Sequence, residues 1–366
     1  MSDRPRSSAA ATSRQAPRDA DATDNIPPEA LGGAGAAPPI DPGAATALRA
    51  LLAEIIDYAG MFPPAQLELE PAIRNYARYR SEPESWLLGR FICPAAKLAA
   101  LAPFVRELFR GGAPLRLSVL ASGGETAAQF RERLVDDVAA MGALYSGDGA
   151  EVDAIEARLP IGANADAIAS IVGAARDALR GSALKPALFF EPFLTEDWRD
   201  TPEAAWRGPL TGADDALADA SQGAGAPIGL KLRCGGLAPA AFPPVEAVAG
   251  VIEACRARRL PLKFTAGLHH PLRHFSAEVS AEMHGFLNVF LAGVLAGLGA
   301  DAVALRDLLD ERSASAFVFT QSGVAWRGRR ASAPEIAAAR RSAVLSFGSC
   351  SFDEPRADLR RLGLLS

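Results

Sequence analysis

Histidine is scarce in this chain: there are four in 366 residues, and His269, His270, His274 and His284 all fall inside the single stretch PLKFTAGLHHPLRHFSAEVSAEMHGFLN, Pro261–Asn288. A side chain that titrates near neutrality and is otherwise avoided marks that stretch as a candidate site. Cysteine is equally sparse. Cys93, Cys234, Cys255 and Cys350 stand far apart with no CxxC spacing, which excludes a zinc ribbon or a disulfide scaffold and fits a reducing cytoplasm. No apolar run reaches the roughly 18 residues that a membrane span needs. Arg4, Arg6, Arg14 and Arg18 near the start are not followed by a continuous apolar segment, so no secretory signal is read. There is no excess of positive charge either. The net charge of −5 argues against nucleic acid or an anionic membrane as a partner held by bulk electrostatics.

Residues 1 to 43 are rich in Ala, Pro, Ser, Asp and Arg and nearly lack large apolar side chains. Such a segment buries too little surface to offset its ordering entropy, and it is expected to be a disordered leader. From residue 44 to the end the pattern is that of one domain. Apolar runs alternate with amphipathic helical segments: LLGRFICP, LRLSVLAS, VDAIEARLP, ALFFEPF, IGLKLRCGG and PLKFTAG, at intervals of roughly 30 to 40 residues, the length of a βα unit. With DYAGMF counted first and AVLSFGSCSF last there are eight strands, the count of a (β/α)8 TIM-type barrel. The interval from Asn288 to Ser342 holds two helical patterns and a hairpin pattern, AFVFTQSGVAWRG turning at Ser322-Gly323, and reads as an insertion after the seventh strand. An open doubly wound sheet is the rival architecture.

Parallel strands covered on both faces normally read as unbroken apolar runs, yet several here carry charge. Lys231 and Arg233 share one face of their strand, as do Lys263 and Thr265, Glu156 and Arg158, and Phe189 and Glu191. Ionised groups are costly inside a protein unless paired or solvated, and a barrel accommodates these by pointing them into its C-terminal mouth. Lys231 and Lys263 occupy equivalent places on consecutive strands, in KLRCGG and KFTAGL. Two ammonium groups facing one cavity depress each other's pKa, and a lysine made neutral attacks a carbonyl to form a Schiff base.

Here the chain resembles class I aldolases of the deoxyribose-phosphate aldolase type, in which one strand carries the Schiff-base lysine before a small-residue stretch and the next carries a second lysine. The likeness covers two strand ends, and it departs at Arg233, Cys234 and the His-rich loop. DYAGMFPP, GLHHP, MHGFLN and SFGSCSFDEP resemble segments of a bacterial family that brings no activity with it. The resemblance implies a lyase acting through Lys263 or Lys231, without a cofactor, on a small anionic carbonyl compound. Glu191, His269 and His270 complete the catalytic set. Arg233, Arg158, Thr265 and the Gly235-Gly236 turn are expected to hold the substrate, with Arg273 near in sequence.

Two alternatives remain. Glu191, His269 and His284 are a ligand set for a divalent metal, which would make the barrel a metal-dependent hydrolase, lyase or isomerase. A non-catalytic ligand-binding barrel is the other, and self-association into a homo-oligomer is compatible with each. The final strand's Cys350 and Asp353-Glu354 read first as small-residue packing and as the acidic start of the last helix.

Overall fold

The computed structural model describes residues 44–145, 149–160, 163–192, 215–219 and 227–365. The expected leader, residues 1 to 43, and most of the segment between the fifth and sixth strands lie outside them. Eight strands form a closed parallel barrel. They are β1 (Ile56–Tyr58), β2 (Leu88–Pro94), β3 (Leu115–Leu120), β4 (Ala150–Arg158), β5 (Ala187–Glu191), β6 (Ile228–Arg233) and β7 (Leu262–Thr265), with Val344–Ser349 as the eighth. The first and eighth strands pair in parallel, Ile56 with Phe347 and Tyr58 with Ser349, and this closure rules out an open doubly wound sheet.

The first strand begins earlier than the apolar pattern suggests. It covers Ile56–Tyr58, and the following Ala59 to Pro64 leave the sheet for the barrel mouth. Outward side chains such as Leu230, Leu232 and Phe264 are buried against the helical layer, and this leaves the inward positions to the charged residues. The insertion between β7 and the eighth strand is larger than the sequence pattern indicated. It contains an antiparallel hairpin, β8 (His274–Ser276) with β9 (Ala281–Met283), and helices Phe286–Gly297 and Ala302–Leu309. A three-stranded antiparallel sheet follows, β10 (Phe317–Phe319), β11 (Gly323–Trp326) and β12 (Arg329–Ser332), then helix Ala333–Ser342. The eighth barrel strand is therefore β13.

Local chemistry accounts for the helix starts. The Asp301 carboxylate accepts from the Ala304 amide at 2.8 Å, and Ser332 with Glu335 forms a reciprocal cap. Helix Phe286–Gly297 is apolar all round and buried from Phe286 to Ala296, which places it in the core beside the barrel. Gly293 allows that approach, because a β-carbon there would lie 2.2 Å from the Val344 side chain of β13. His284 precedes this helix, just past β9. Among the described residues no helix is long and apolar enough to cross a membrane.

Candidate active site

All eight barrel strands supply inward polar side chains to one connected column. At its base, Asp57 on β1 accepts from the Arg90 amide of β2 at 2.7 Å and from the Ser346 hydroxyl of β13 at 2.6 Å. Lys263 on β7 stands 2.8 Å from Asp57 Oδ2 and 2.6 Å from Glu156 Oε1 on β4, with Ser118 of β3 at 3.3 Å. Glu156 turns its second oxygen, Oε2, to Lys231 on β6 at 2.7 Å. Lys231 also holds Glu191 Oε2 of β5 at 3.0 Å. Glu191 Oε1 then meets Arg158 Nη2 and Arg233 Nε, each at 3.4 Å. Cation and anion alternate from the barrel's base to its mouth.

The register puts Lys231 directly opposite Lys263, as their spacing in sequence suggests. The expected electrostatics do not follow. Burial opposes the charge on Lys231, but attraction from Glu156 and Glu191 outweighs it and raises its pKa. For Lys231 the expected depression is thus overturned, because carboxylates from β4 and β5 stand against its ammonium group. Burial likewise works against ionised Asp57, Glu156 and Glu191, yet the neighbouring cations win and hold all three below the usual carboxylate range.

Above the column opens a cavity of about 1360 Å³. Glu156, Glu191 and Lys231 form its floor, with Arg158, Arg233, Thr265 and Gly236 on its sides. Lys263 and Asp57 do not line it; they lie beneath. Ala59, Phe62, Pro63 and Pro64, from the segment after β1, close one side. Gly235 and Gly267 lie back to back: a β-carbon on Gly235 would sit 2.8 Å from the Gly267 Cα, and Gly267 has φ of +69°. The Gly235 carbonyl accepts from Arg233 Nη1 at 3.2 Å, so this turn aims the guanidinium. Lys231, Lys263, Arg158 and Arg233 face the three carboxylates of Asp57, Glu156 and Glu191, which leaves one positive charge among these groups. The surplus is local to the floor, where Lys231, Arg158 and Arg233 meet Glu156 and Glu191, and there it suits an anion; Glu125, Glu278 and Glu354 line the cavity elsewhere.

The histidines divide between two places. His269, His270 and His274 line the cavity. His269 Nδ1 lies 2.9 Å from Glu354 Oε2, and His270 Nδ1 lies 2.5 Å from Asp358 Oδ2. A buried carboxylate on Nδ1 fixes the His270 ring, whose Nε2 lies 3.9 Å from Glu354 Oε1. His274 packs edge-on against His270, with ring centres 4.5 Å apart, and burial depresses its pKa.

His284 does not join them. Its Nε2 meets the Pro243 carbonyl at 2.8 Å and its Nδ1 the Arg273 guanidinium at 3.2 Å, so both ring nitrogens are committed away from the cavity. Arg273 in turn is held by Asp310 at 2.8 Å, not by the substrate space. The set Glu191, His269 and His284 is therefore not brought together. Among the described residues no group of three or more His, Cys, Asp or Glu side chains is placed to hold a metal ion.

Several members of this site went unread in the sequence. Asp57 belonged to a strand whose start was misplaced, and Ser118 and Ser346 carry no signal beyond small size. Asp358 was not singled out, and Glu354 was read first as the acidic start of the last helix; they lie 88 and 85 residues from their histidine partners. Their four-residue separation on the last helix, Asp353–Arg361, which puts both on one face, was the available hint.

No protein-family model matches the chain, and no curated protein matches it. Among solved structures, the chain is similar to a fungal β-1,4-galactanase at 12% identity and a TM-score of 0.33, covering 48% of this chain and 60% of that one. It thus spans less than two thirds of the galactanase. It is also similar to a candidate phosphonomutase from Burkholderia cenocepacia J2315, at 15% identity and a TM-score of 0.36, with 63% of this chain and 86% of that one covered. A candidate lyase/mutase from the same organism has 16% identity and a TM-score of 0.24, with 53% and 72% covered. Likenesses this loose add nothing to the barrel already described, and no activity is carried over from them.

Proposed function

We propose that this barrel is a lyase-like enzyme of small anionic carbonyl compounds, working through a Schiff base on Lys231. The observation that carries the reading is the cavity floor. Lys231 lines it, 3.0 Å from Glu191 and 2.7 Å from Glu156, below the guanidiniums of Arg158 and Arg233. Lys263, one layer deeper and 1% exposed, serves as the counter-ion that keeps Glu156 ionised.

The resting ammonium of Lys231 is not a nucleophile, so the reaction needs a trigger. Arg158 and Arg233 both lean on Glu191, at 3.4 Å each. An anionic substrate group draws these two cations to itself, and Glu191, deprived of them, becomes the stronger base. The Lys231 proton then passes to Glu191, and the free amine bonds to the carbonyl carbon. The resulting carbinolamine loses water, taking back the proton from Glu191, to leave an iminium. That cation accepts the electron pair of the adjacent carbon–carbon bond as the bond breaks. His270, its ring fixed by Asp358, stands on the cavity wall to move the proton that the departing fragment gains or loses.

The test is borohydride reduction in the presence of a panel of 2-keto acids and sugar phosphates, followed by peptide mass analysis. A reduced adduct on Lys231, absent from Lys231→Arg, is expected. An adduct on Lys263, or turnover without any trappable adduct, would overturn the mechanism. So would near-stoichiometric metal that disappears from a His269→Ala, His270→Ala double variant. A barrel that only binds its ligand would lose affinity in Lys231→Arg and show no turnover in either form.

A further inference from the structure

The cavity above the lysine floor is two-sided in its chemistry. Beside the charged end made by Glu156, Glu191, Lys231, Arg158 and Arg233, part of its wall is apolar. Phe242, Ala281 and Met283, with Val279 packed on them, form a small apolar cluster apart from the main core of the barrel. Phe242, Val279 and Met283 line the cavity, so this cluster fronts the ligand space. Met283 pairs with His274 across the β8–β9 hairpin, which puts the two side chains on one face, and both line the cavity.

The apolar wall adjoins the anion clamp. A β-carbon on Gly235 would lie 2.6 Å from the Phe242 ring, so that ring packs against the turn whose carbonyl holds Arg233. Leu237, exposed just after the turn, also borders the cavity.

Volume and polar groups point the same way. About 1360 Å³ exceeds the roughly 300–1,000 Å³ typical of sites for drug-sized ligands, and a three-carbon acid would leave most of it to water. Among the described residues the lining has no Asn, Gln, Tyr or Trp, which leaves few neutral groups to read the hydroxyls of a sugar. Glu125 and Glu278, both exposed on the lining, oppose a second anionic group on the ligand.

We propose that the substrate is a 2-keto acid whose third carbon bears an uncharged aryl or alkyl arm, with the carboxylate at Arg158 and Arg233 and the arm along Phe242, Val279 and Met283. The 2-keto acid head rests on the lysine reading; the apolar arm does not. Each methylene of the arm that leaves water is worth about fourfold in affinity.

Calorimetric titration of the wild type and of Lys231→Arg with pyruvate, 2-oxohexanoate, phenylpyruvate, 2-oxoglutarate and deoxyribose 5-phosphate tests this. In both proteins 2-oxohexanoate and phenylpyruvate are expected to bind at least about tenfold tighter than pyruvate. The second carboxylate of 2-oxoglutarate and the hydroxyls of the sugar phosphate are expected to bring no gain over pyruvate. Phe242→Ala and Met283→Ala are each expected to cut the advantage of phenylpyruvate over pyruvate to below about threefold. That ratio, taken within one preparation, is insensitive to a misfolded fraction. Long-armed acids that bind no tighter than pyruvate, or less tightly than 2-oxoglutarate or the sugar phosphate, would overturn the proposal in the wild type alone. An advantage unchanged in both variants would overturn the placing of the arm. Tight binding of the long-armed acids with no borohydride adduct on Lys231 would sink the lysine mechanism and leave the apolar arm standing. Adducts on Lys231 with no gain in affinity along the series would do the reverse.

Discussion

Lys231 and Lys263 face each other in register on adjacent strands and share one carboxylate, with Glu156 Oε1 2.6 Å from Lys263 and Oε2 2.7 Å from Lys231. Without that anion the two ammonium groups are left with one other carboxylate each, in a site 1% exposed at Glu156. Breaking a buried ion network by removing one partner costs about 3–5 kcal/mol, since the remaining charge stays desolvated. Glu156→Gln keeps the shape and deletes the charge, so it isolates that effect. Urea unfolding is expected to show a loss of that size; a loss under about 1 kcal/mol would mean that the lysines are not held by Glu156.

Lys263 and Asp57 lie beneath the cavity, 2.8 Å apart and both essentially inaccessible. Their role in this reading is to complete the column and not to meet substrate. Lys263→Met is expected to lower stability by about 3 kcal/mol, as buried Asp57 keeps only the more distant Arg90 guanidinium, at 3.7 Å, as its cation. Adding Asp57→Asn is expected to return part of it, with a coupling of about 0.5–3 kcal/mol between the two sites. Strict additivity in the double-mutant cycle would show that the two side chains do not interact.

The architecture was legible because the barrel is written locally. Each βα unit repeats its own apolar run and helix, and the period of two placed Lys231, Lys263, Glu156 and Glu191 on the inward face. The electrostatics of Lys231 were not legible, because its sign depends on Glu156 and Glu191, which approach from strands more than 35 residues away and compete with burial. The histidine stretch was recognisable as a site, but adjacent side chains in it take different partners, His269 taking Glu354 and His270 taking Asp358. Only the docking of the last helix supplies those carboxylates. The hairpin of β8 and β9 went unseen, since three-residue strands carry too little alternation to register.

Arg158 and Arg233 touch Glu191 Oε1 at 3.4 Å each while remaining half exposed, so neither is locked into the resting network. Both are free to turn to an incoming anion. Arg158→Ala or Arg233→Ala is expected to weaken binding of pyruvate or inorganic phosphate about tenfold, the worth of one charge-assisted contact after solvent screening. Added salt is expected to weaken wild-type binding and to have less effect on the double variant. Calorimetric titration measures both. Unchanged affinity in the double variant would remove the arginines from the binding role.

His284 gives the fold a specific dependence on pH. A guanidinium only donates, so Arg273 requires the unprotonated Nδ1 of His284, and the proton sits on Nε2, donated to the Pro243 carbonyl. Burial first, and then the Arg273 charge, push the pKa down to about 3 from an ordinary 6.5. With the folded value depressed, the stability tied to this histidine is complete above 6.5 and is lost as the pH falls from there toward 3. His274, also depressed, adds in the same direction. His269 acts oppositely. Raised to about 10, it contributes fully below 6.5 and loses that contribution as the pH rises through 10. Between pH 6.5 and 5 the carboxylates of the barrel column stay ionised in both folded and unfolded chains, so the histidines dominate that window. The unfolding free energy is expected to fall there by up to about 1.4 kcal/mol per pH unit for each depressed histidine. Replacing His284 with Gln, which still offers a donor and an acceptor, should flatten the slope; an unaltered slope would show that His284 is not held neutral.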